Sequence, residues 1–116
     1  LMVMHVDRLI PEKLSVNHDH RSIDFFILGF SKCGTTSLAE LLAAHPSTSM
    51  SIEKEPNFFT FHFDRGTSWY EQLFDGTASP STMRFEASTT YSVDEFAKTA
   101  CQRIKAHSPF AKLIFI

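Results

Sequence analysis

Charge of one sign is what this sequence most conspicuously lacks. Eleven lysines and arginines stand against thirteen aspartates and glutamates, a formal net charge of -2. A general polyanion-binding surface needs a basic excess, so nucleic acid is not expected as a partner. Long apolar runs are missing as well. The longest, residues 25–30, is far too short to span a bilayer, and this segment is expected to make no membrane contact. Cysteine is scarce: Cys33 and Cys101 form no CxxC or other metal-like spacing, and two in a chain of 116 residues make no disulfide framework. Asn17 and Asn57 are followed by His-Asp and Phe-Phe, so neither is a glycosylation sequon. Internal repeats and low-complexity tracts are absent too. What is present is an ordinary globular composition, 43% hydrophobic and 21% charged, which excludes a disordered chain. Twelve phenylalanines depart from it, and large rings of this kind are expected mostly in the core.

Hydrophobic patterning divides the chain into an irregular lead-in, residues 1–22, and an alternation of strands and helices over residues 23–116. The lead-in mixes isolated apolar positions with Pro11 and a polar cluster. Its His18-Asp19-His20 offers two histidines but no third ligand, so it reads as a solvated turn and no metal is expected. Residues 23–29 form a continuous β-type run, as in a central parallel strand covered on both faces. Residues 35–44 carry Leu38, Leu41 and Leu42 at helical spacing among alanines, and His45-Pro46 ends them. Strands are expected at 47–52, 83–87 and 112–116, a helical turn at 68–74 and a long helix at 93–107 with Phe96, Ala97, Ala100 and Ile104 on one face. Strands alternating with helices imply an α/β fold with a central parallel sheet flanked by helices. Leu1 is not an initiator methionine, and residues 112–116 read as a buried strand with nothing after it, so the sequence is expected to be an excerpt truncated at its C-terminus.

The chemistry concentrates at residues 25–38, FFILGFSKCGTTSL, where an apolar strand ends in a glycine-bounded loop that turns directly into a helix. Such a turn presents several unpaired backbone N–H groups at the positive end of a helix dipole, a seat for an anion. Gly29 and Gly34 enclose four residues in nucleotide-loop spacing, yet Thr35 and Thr36 stand where an NTPase carries Lys and Ser/Thr. The lysine lies within the loop instead, at Lys32. Its ammonium can meet a leaving phosphate oxygen, while Ser31, Cys33, Gly34 and the hydroxyls of Thr35, Thr36 and Ser37 complete the candidate anion site. Cys33 at a helix start suggests a thiolate nucleophile, but a tyrosine-phosphatase loop needs Arg where Ala39 stands.

Four motifs in order give the loop its context. Lys32-Cys33-Gly34-Thr35-Thr36 resembles the K-x-G-T-T/S phosphosulfate loop of sulfotransferases that use 3′-phosphoadenosine 5′-phosphosulfate (PAPS). Lys54-Glu55-Pro56-Asn57-Phe58-Phe59 resembles the K-E-x-H-F-F of heparan-sulfate-type and related carbohydrate members. Gly66-Thr67-Ser68-Trp69-Tyr70 resembles their G-x-x-W-Y, and Glu86-Ala87-Ser88-Thr89-Thr90-Tyr91 their E-K-S/T-P-x-Y. The departures are Asn57 for His, Ala87 for a lysine that helps bind donor or acceptor, and Thr89 for Pro. The resemblance implies a P-loop-like three-layer fold, PAPS as donor co-substrate with no metal, and a carbohydrate or glycosaminoglycan acceptor. It also implies a second donor site, an Arg and a Ser holding the 3′-phosphate, after the strand at 112–116.

Sulfuryl transfer moves a group of spread negative charge in line between an acceptor atom and a phosphate, so positioning and charge stabilisation dominate. The acceptor must also lose a proton. Glu55, just past the second strand, falls at the C-terminal edge of the sheet beside the loop, where open α/β folds bind ligands, and is assigned as general base with Lys32 as the donor contact. Without its motif, Glu55 reads as a solvated carboxylate paired with Lys54 or Arg65. Lys54, Trp69 and Tyr91 are candidates for acceptor binding, although aromatic residues at such spacing also fill cores. Two other readings stand beside this one: a P-loop kinase or NTPase with an aberrant loop, and a non-catalytic nucleotide-binding module. Hydroxyl and amine acceptors both remain open. The resemblance places an animal-type enzyme in the Golgi lumen on a membrane anchor, and a bacterial one in the cytoplasm.

Overall fold

The computed structural model describes residues 2–13, 21–29, 34–74 and 82–116. Among these, five strands form one sheet in the order β1-β5-β2-β4-β3, with β1 Met2–His5, β2 Phe25–Leu28, β3 Thr48–Met50, β4 Met83–Ala87 and β5 Lys112–Phe115. Strands β2, β3, β4 and β5 are mutually parallel, and β1 joins the β5 edge antiparallel, pairing Met2 with Phe115 and His5 with Lys112. The helices are α1 Val6–Leu9, α2 Thr35–Ala43, α3 Gly66–Gln72 and α4 Asp94–His107, with 3-10 turns at Phe63–Arg65 and Thr89–Ser92. The α/β class and the parallel sheet flanked by helices are as the sequence implied.

The central strand β2 is buried along its whole length, which explains why its sequence is a continuous apolar run rather than an alternating one. Alternate side chains feed two cores. Phe25 and Ile27 meet Phe85, Ala87 and Ala39 under α2, with Leu38 and Leu42 packed on them. Phe26 and Leu28 point the other way, into a larger core with Phe58, Phe59, Tyr70, Tyr91, Ala100, Ile104 and Leu113. On this second face Phe58 stacks on Tyr70 at 4.4 Å between ring centroids, and Phe59 meets Phe26, Tyr70 and Tyr91 edge-on, geometries that suit the ring quadrupole. Leu41, on the helix spacing of α2, is 71% exposed, because residues 38, 39 and 42 already fill the face toward the sheet. Among the described residues Phe61, Phe63 and Phe110 are exposed.

The lead-in corrects the expectation of irregular chain. Residues 2–9 make a strand and a helical turn, Val6 is fully buried, and its N–H donates to the Ala111 carbonyl at 3.0 Å. Lys105 from α4 secures the chain just beyond α1, donating to the Ile10 carbonyl and to the Glu12 carbonyl at 2.7 Å beside an ion pair with Asp7 at 3.3 Å. Residues 18–20, expected as a solvated turn, lie outside the described residues.

Candidate functional site

Parallel strands put the C-terminal ends of β2, β3, β4 and β5 on one edge of the sheet, and the chemistry-bearing residues gather there. Strand β2 runs toward the glycine-bounded loop, and Gly29 donates its N–H to Ser92 Oγ at 2.8 Å. Gly34 caps α2 with φ of 89°, a left-handed conformation that a side chain would strain, and has no atom within 4 Å of where a Cβ would stand. The first helical bond of α2 runs from Leu38 N to the Gly34 carbonyl at 3.1 Å, and among the described residues no side chain caps the helix. The amides of residues 35, 36 and 37 therefore precede any intrahelical partner, in a first turn without an acidic residue. Such a terminus suits a phosphate or sulfate. Ser37 is exposed beside it. The predicted donor residues Ser31, Lys32 and Cys33 lie outside the described residues, as do the side chains of Thr35 and Thr36.

Glu55 stands on the exposed loop after β3, and its Oε1 accepts two hydrogen bonds from one residue, Thr89 N–H at 3.0 Å and Thr89 Oγ1 at 2.8 Å. Thr89 opens the 3-10 turn that leaves β4, the strand between β2 and β3. The pairing with Lys54 or Arg65 that a surface carboxylate would make is not what the structure shows. Lys54 pairs instead with Glu40 of α2 at 3.3 Å, both side chains mostly exposed, and Arg65 lies 4.8 Å over the Trp69 ring.

Beside Glu55 the loop is fixed by Asn57, whose φ of 51° is left-handed, a conformation Asn tolerates better than most residues. Its N–H donates to Ser88 Oγ at 3.0 Å, its Oδ1 accepts from Thr90 Oγ1 at 2.8 Å, and its Nδ2 donates to the Glu55 carbonyl at 3.1 Å. Asn57, a departure from the motif by residue type, is thus the residue that shapes this loop.

Beneath lies a buried carboxylate. Glu86 has no exposed surface; its Oε1 accepts from Ser88 Oγ at 2.7 Å, and its Oε2 accepts from Tyr70 and from Tyr91, the latter at 3.1 Å. Burial pushes the Glu86 carboxyl up to about 7, against the opposing pull of those three hydroxyl donors. The Tyr70 and Tyr91 hydroxyls are raised well above their ordinary range, first by burial and then by the charge of Glu86. Cys101 is likewise pushed up to about 11 by burial, which makes it an inert core thiol.

The candidate residues therefore separate. The start of α2 and Glu55 share the C-terminal edge of the sheet, and Lys54 lies on that surface. Trp69 packs half-buried against Phe58, with ring centroids 6.0 Å apart. Tyr91, a candidate for acceptor binding, is 1% exposed, and its hydroxyl is engaged by Glu86 and by the Phe59 N–H. What sequence reasoning missed is the tripeptide Ser88-Thr89-Thr90, whose signal was three consecutive hydroxyls immediately after a strand at the ligand-binding edge. Among the described residues no group of three or more His, Cys, Asp or Glu is placed to hold a metal, and no helix is long and apolar enough to cross a membrane.

A mostly parallel sheet with a helix start and a carboxylate gathered at its C-terminal edge defines an α/β protein whose candidate site lies at that edge. Comparison with known proteins narrows that class. Heparan sulfate glucosamine 3-O-sulfotransferase 6 of Homo sapiens is 36% identical over 90 residues, covering 78% of this chain and 25% of the human protein. The bifunctional heparan sulfate N-deacetylase/N-sulfotransferase 1 of Caenorhabditis briggsae is 34% identical over 99 residues, 80% of this chain and 11% of that one. In three dimensions a sulfotransferase from Alicyclobacillus acidocaldarius matches with a TM-score of 0.68 and 30% identity, over 83% of this chain and 44% of the other. No protein-family model matches. The chain is thus a relative of sulfotransferases, similar in sequence to those of the heparan sulfate type and in fold to a bacterial one, as the four motifs implied. It spans about a quarter of the length of the human relative.

Proposed function

We propose that the protein transfers the sulfuryl group of PAPS to a hydroxyl or amine of a glycosaminoglycan. The observation that carries this reading is the shared edge: an uncapped helix start after β2, and across β4 a carboxylate held with one oxygen engaged by Thr89. The amides at the start of α2, with Lys32, Thr35, Thr36 and Ser37, would bind the 5′-phosphosulfate; in support, no side chain among the described residues caps the helix start. Glu55 takes the proton of the acceptor as its oxygen or nitrogen bonds to sulfur. The bond from sulfur to the bridging phosphate oxygen breaks, and adenosine 3′,5′-bisphosphate leaves with its charge met by Lys32. Lys54 contributes to binding an anionic saccharide, and Trp69 offers the exposed part of its ring. For an animal protein of this type the working compartment is the Golgi lumen.

The test is transfer of labelled sulfate from PAPS to heparan sulfate by the protein at its natural length. Glu55→Gln should lower the rate by about 10²- to 10⁴-fold while leaving adenosine 3′,5′-bisphosphate bound. Lys32→Ala should weaken that binding and abolish transfer. Unchanged transfer by both variants would remove the reading, and calorimetry showing Mg²⁺-dependent ATP binding in place of the bisphosphate would replace it with a P-loop NTPase.

A further inference from the structure

The geometry points to Thr89 as the positioning residue for Glu55, an inference that rests on the sulfotransferase reading of the site. Both of its donors converge on the same oxygen, Oε1, from the backbone N–H at 3.0 Å and the hydroxyl at 2.8 Å. Among the described residues Oε2 has no hydrogen-bond partner, so this carboxylate is held by one oxygen and presents the other. A proline, as the resembled motif carries here, has no N–H and no hydroxyl and cannot make either bond.

Thr89 is itself fixed from both sides. Ser88 Oγ donates to the buried Glu86 and accepts the Asn57 N–H, and Thr90 Oγ1 donates to Asn57 Oδ1. At the far end of the same 3-10 turn, Ser92 Oγ accepts the N–H of Gly29, where β2 runs into the glycine-bounded loop. One four-residue turn therefore touches both the root of that loop and the carboxylate proposed to take the proton. Holding a base to within a fraction of an ångström of its productive position is worth about 10²-fold per ångström of misplacement.

The experiment compares Thr89→Val, which keeps shape and N–H but loses the hydroxyl, with Thr89→Ser, which restores the hydroxyl on a smaller side chain. In the natural-length protein, assayed with PAPS and heparan sulfate, Thr89→Val should lower kcat by about 10- to 100-fold with the KM for PAPS unchanged. Thr89→Ser should recover activity to within about 3-fold of the parent, and adding Thr89→Val to Glu55→Gln should cost nothing further, since without the carboxylate no base is left for Thr89 to position. Parent-like kcat in Thr89→Val overturns the inference, and so does a Thr89→Ser variant as slow as Thr89→Val. The two levels fail separately: full activity in Glu55→Gln sinks the assignment of the base, whereas an inactive Glu55→Gln beside a normal Thr89→Val sinks only the role of Thr89.

Discussion

The two faces of the sheet are built differently. Under α2 the cluster is smaller: Leu38, Leu42 and Ala39 pack on Ile27 and on the stacked rings of Phe25 and Phe85, next to an open groove of about 430 Å³ lined by Val3, Leu42, Met83 and Ile114 among others. The opposite face is dense with rings and holds the buried polar groups as well, Glu86 with Tyr70 and Tyr91, and Arg84 with Glu71 at 2.8 Å and 4.5 Å over Phe74. The loop that carries Glu55 is rooted in this ring-rich face through Phe58 and Phe59, while the proposed anion seat sits on the lighter α2. Among the described residues, one half of the site is therefore rooted in the larger ring-rich core, and the other starts a helix packed on the smaller cluster.

The sharpest way to break that contrast is to truncate one side chain on each face. Phe59 has no exposed surface and meets Phe26, Phe58, Tyr70, Tyr91 and His107. Phe59→Ala should cost about 3–5 kcal/mol in urea denaturation, the range for deleting a buried ring. Leu42→Ala, half-buried beside the open groove, should cost less than about 2 kcal/mol, because solvent can enter the space it leaves. Equal losses at the two positions would show that the faces contribute alike.

Next in size is the pH dependence built into the ring-rich face. The folded state raises the Glu86 carboxyl from 4.5 to about 7, so it holds that proton more tightly than the unfolded chain does. The sign follows from linkage: stability is complete below about pH 4.5 and falls as pH rises through about 7. At about 1.4 kcal/mol per pKa unit the loss amounts to about 3 kcal/mol. Tyr70, Ser88 and Tyr91 supply the contacts, and the negative charge of Glu55 pushes the carboxyl up a little further. Glu86→Gln mimics the protonated acid, so the difference in stability between it and the parent should shift in favour of Gln as pH rises from 4.5 to 7. A difference independent of pH would mean that the buried site does not penalise the charge.

Much of this architecture was legible in the residues, and the failures have physical causes. Strands and helices carrying a clear period emerged within a few residues of their expected bounds: the strand at 83–87 is Met83–Ala87, and the helix at 93–107 is Asp94–His107. β1 escaped because a four-residue edge strand with mostly exposed side chains shows no periodicity, although the uncharged run before Asp7 was a signal. The place of Glu55 at the C-terminal edge of the sheet was legible because it closely follows a strand. Thr89 was not, since its bond to Glu55 spans 34 positions and exists only because β3 and β4 are neighbours, an adjacency that local sequence does not encode. The burial of Tyr91 against Glu86 was hidden for the related reason that a ring in a motif carries no local sign of whether it faces a ligand or a buried carboxylate.

The smallest expected effect concerns the one ion pair that joins α2 to the Glu55 loop among the described residues. Lys54 and Glu40 lie 3.3 Å apart with side chains 62% and 66% exposed, so solvent screening leaves the pair worth less than about 1 kcal/mol. Lys54→Gln should therefore barely move the urea midpoint, which makes it a clean probe of acceptor binding. If the lysine meets an anionic saccharide, the KM for heparan sulfate should rise several-fold, and the rise should shrink as salt is added, because exposed charges are screened over a Debye length of about 8 Å at physiological ionic strength. A KM unchanged at low salt would confine Lys54 to its contact with Glu40 and leave the ring-rich face holding the Glu55 loop without help from α2.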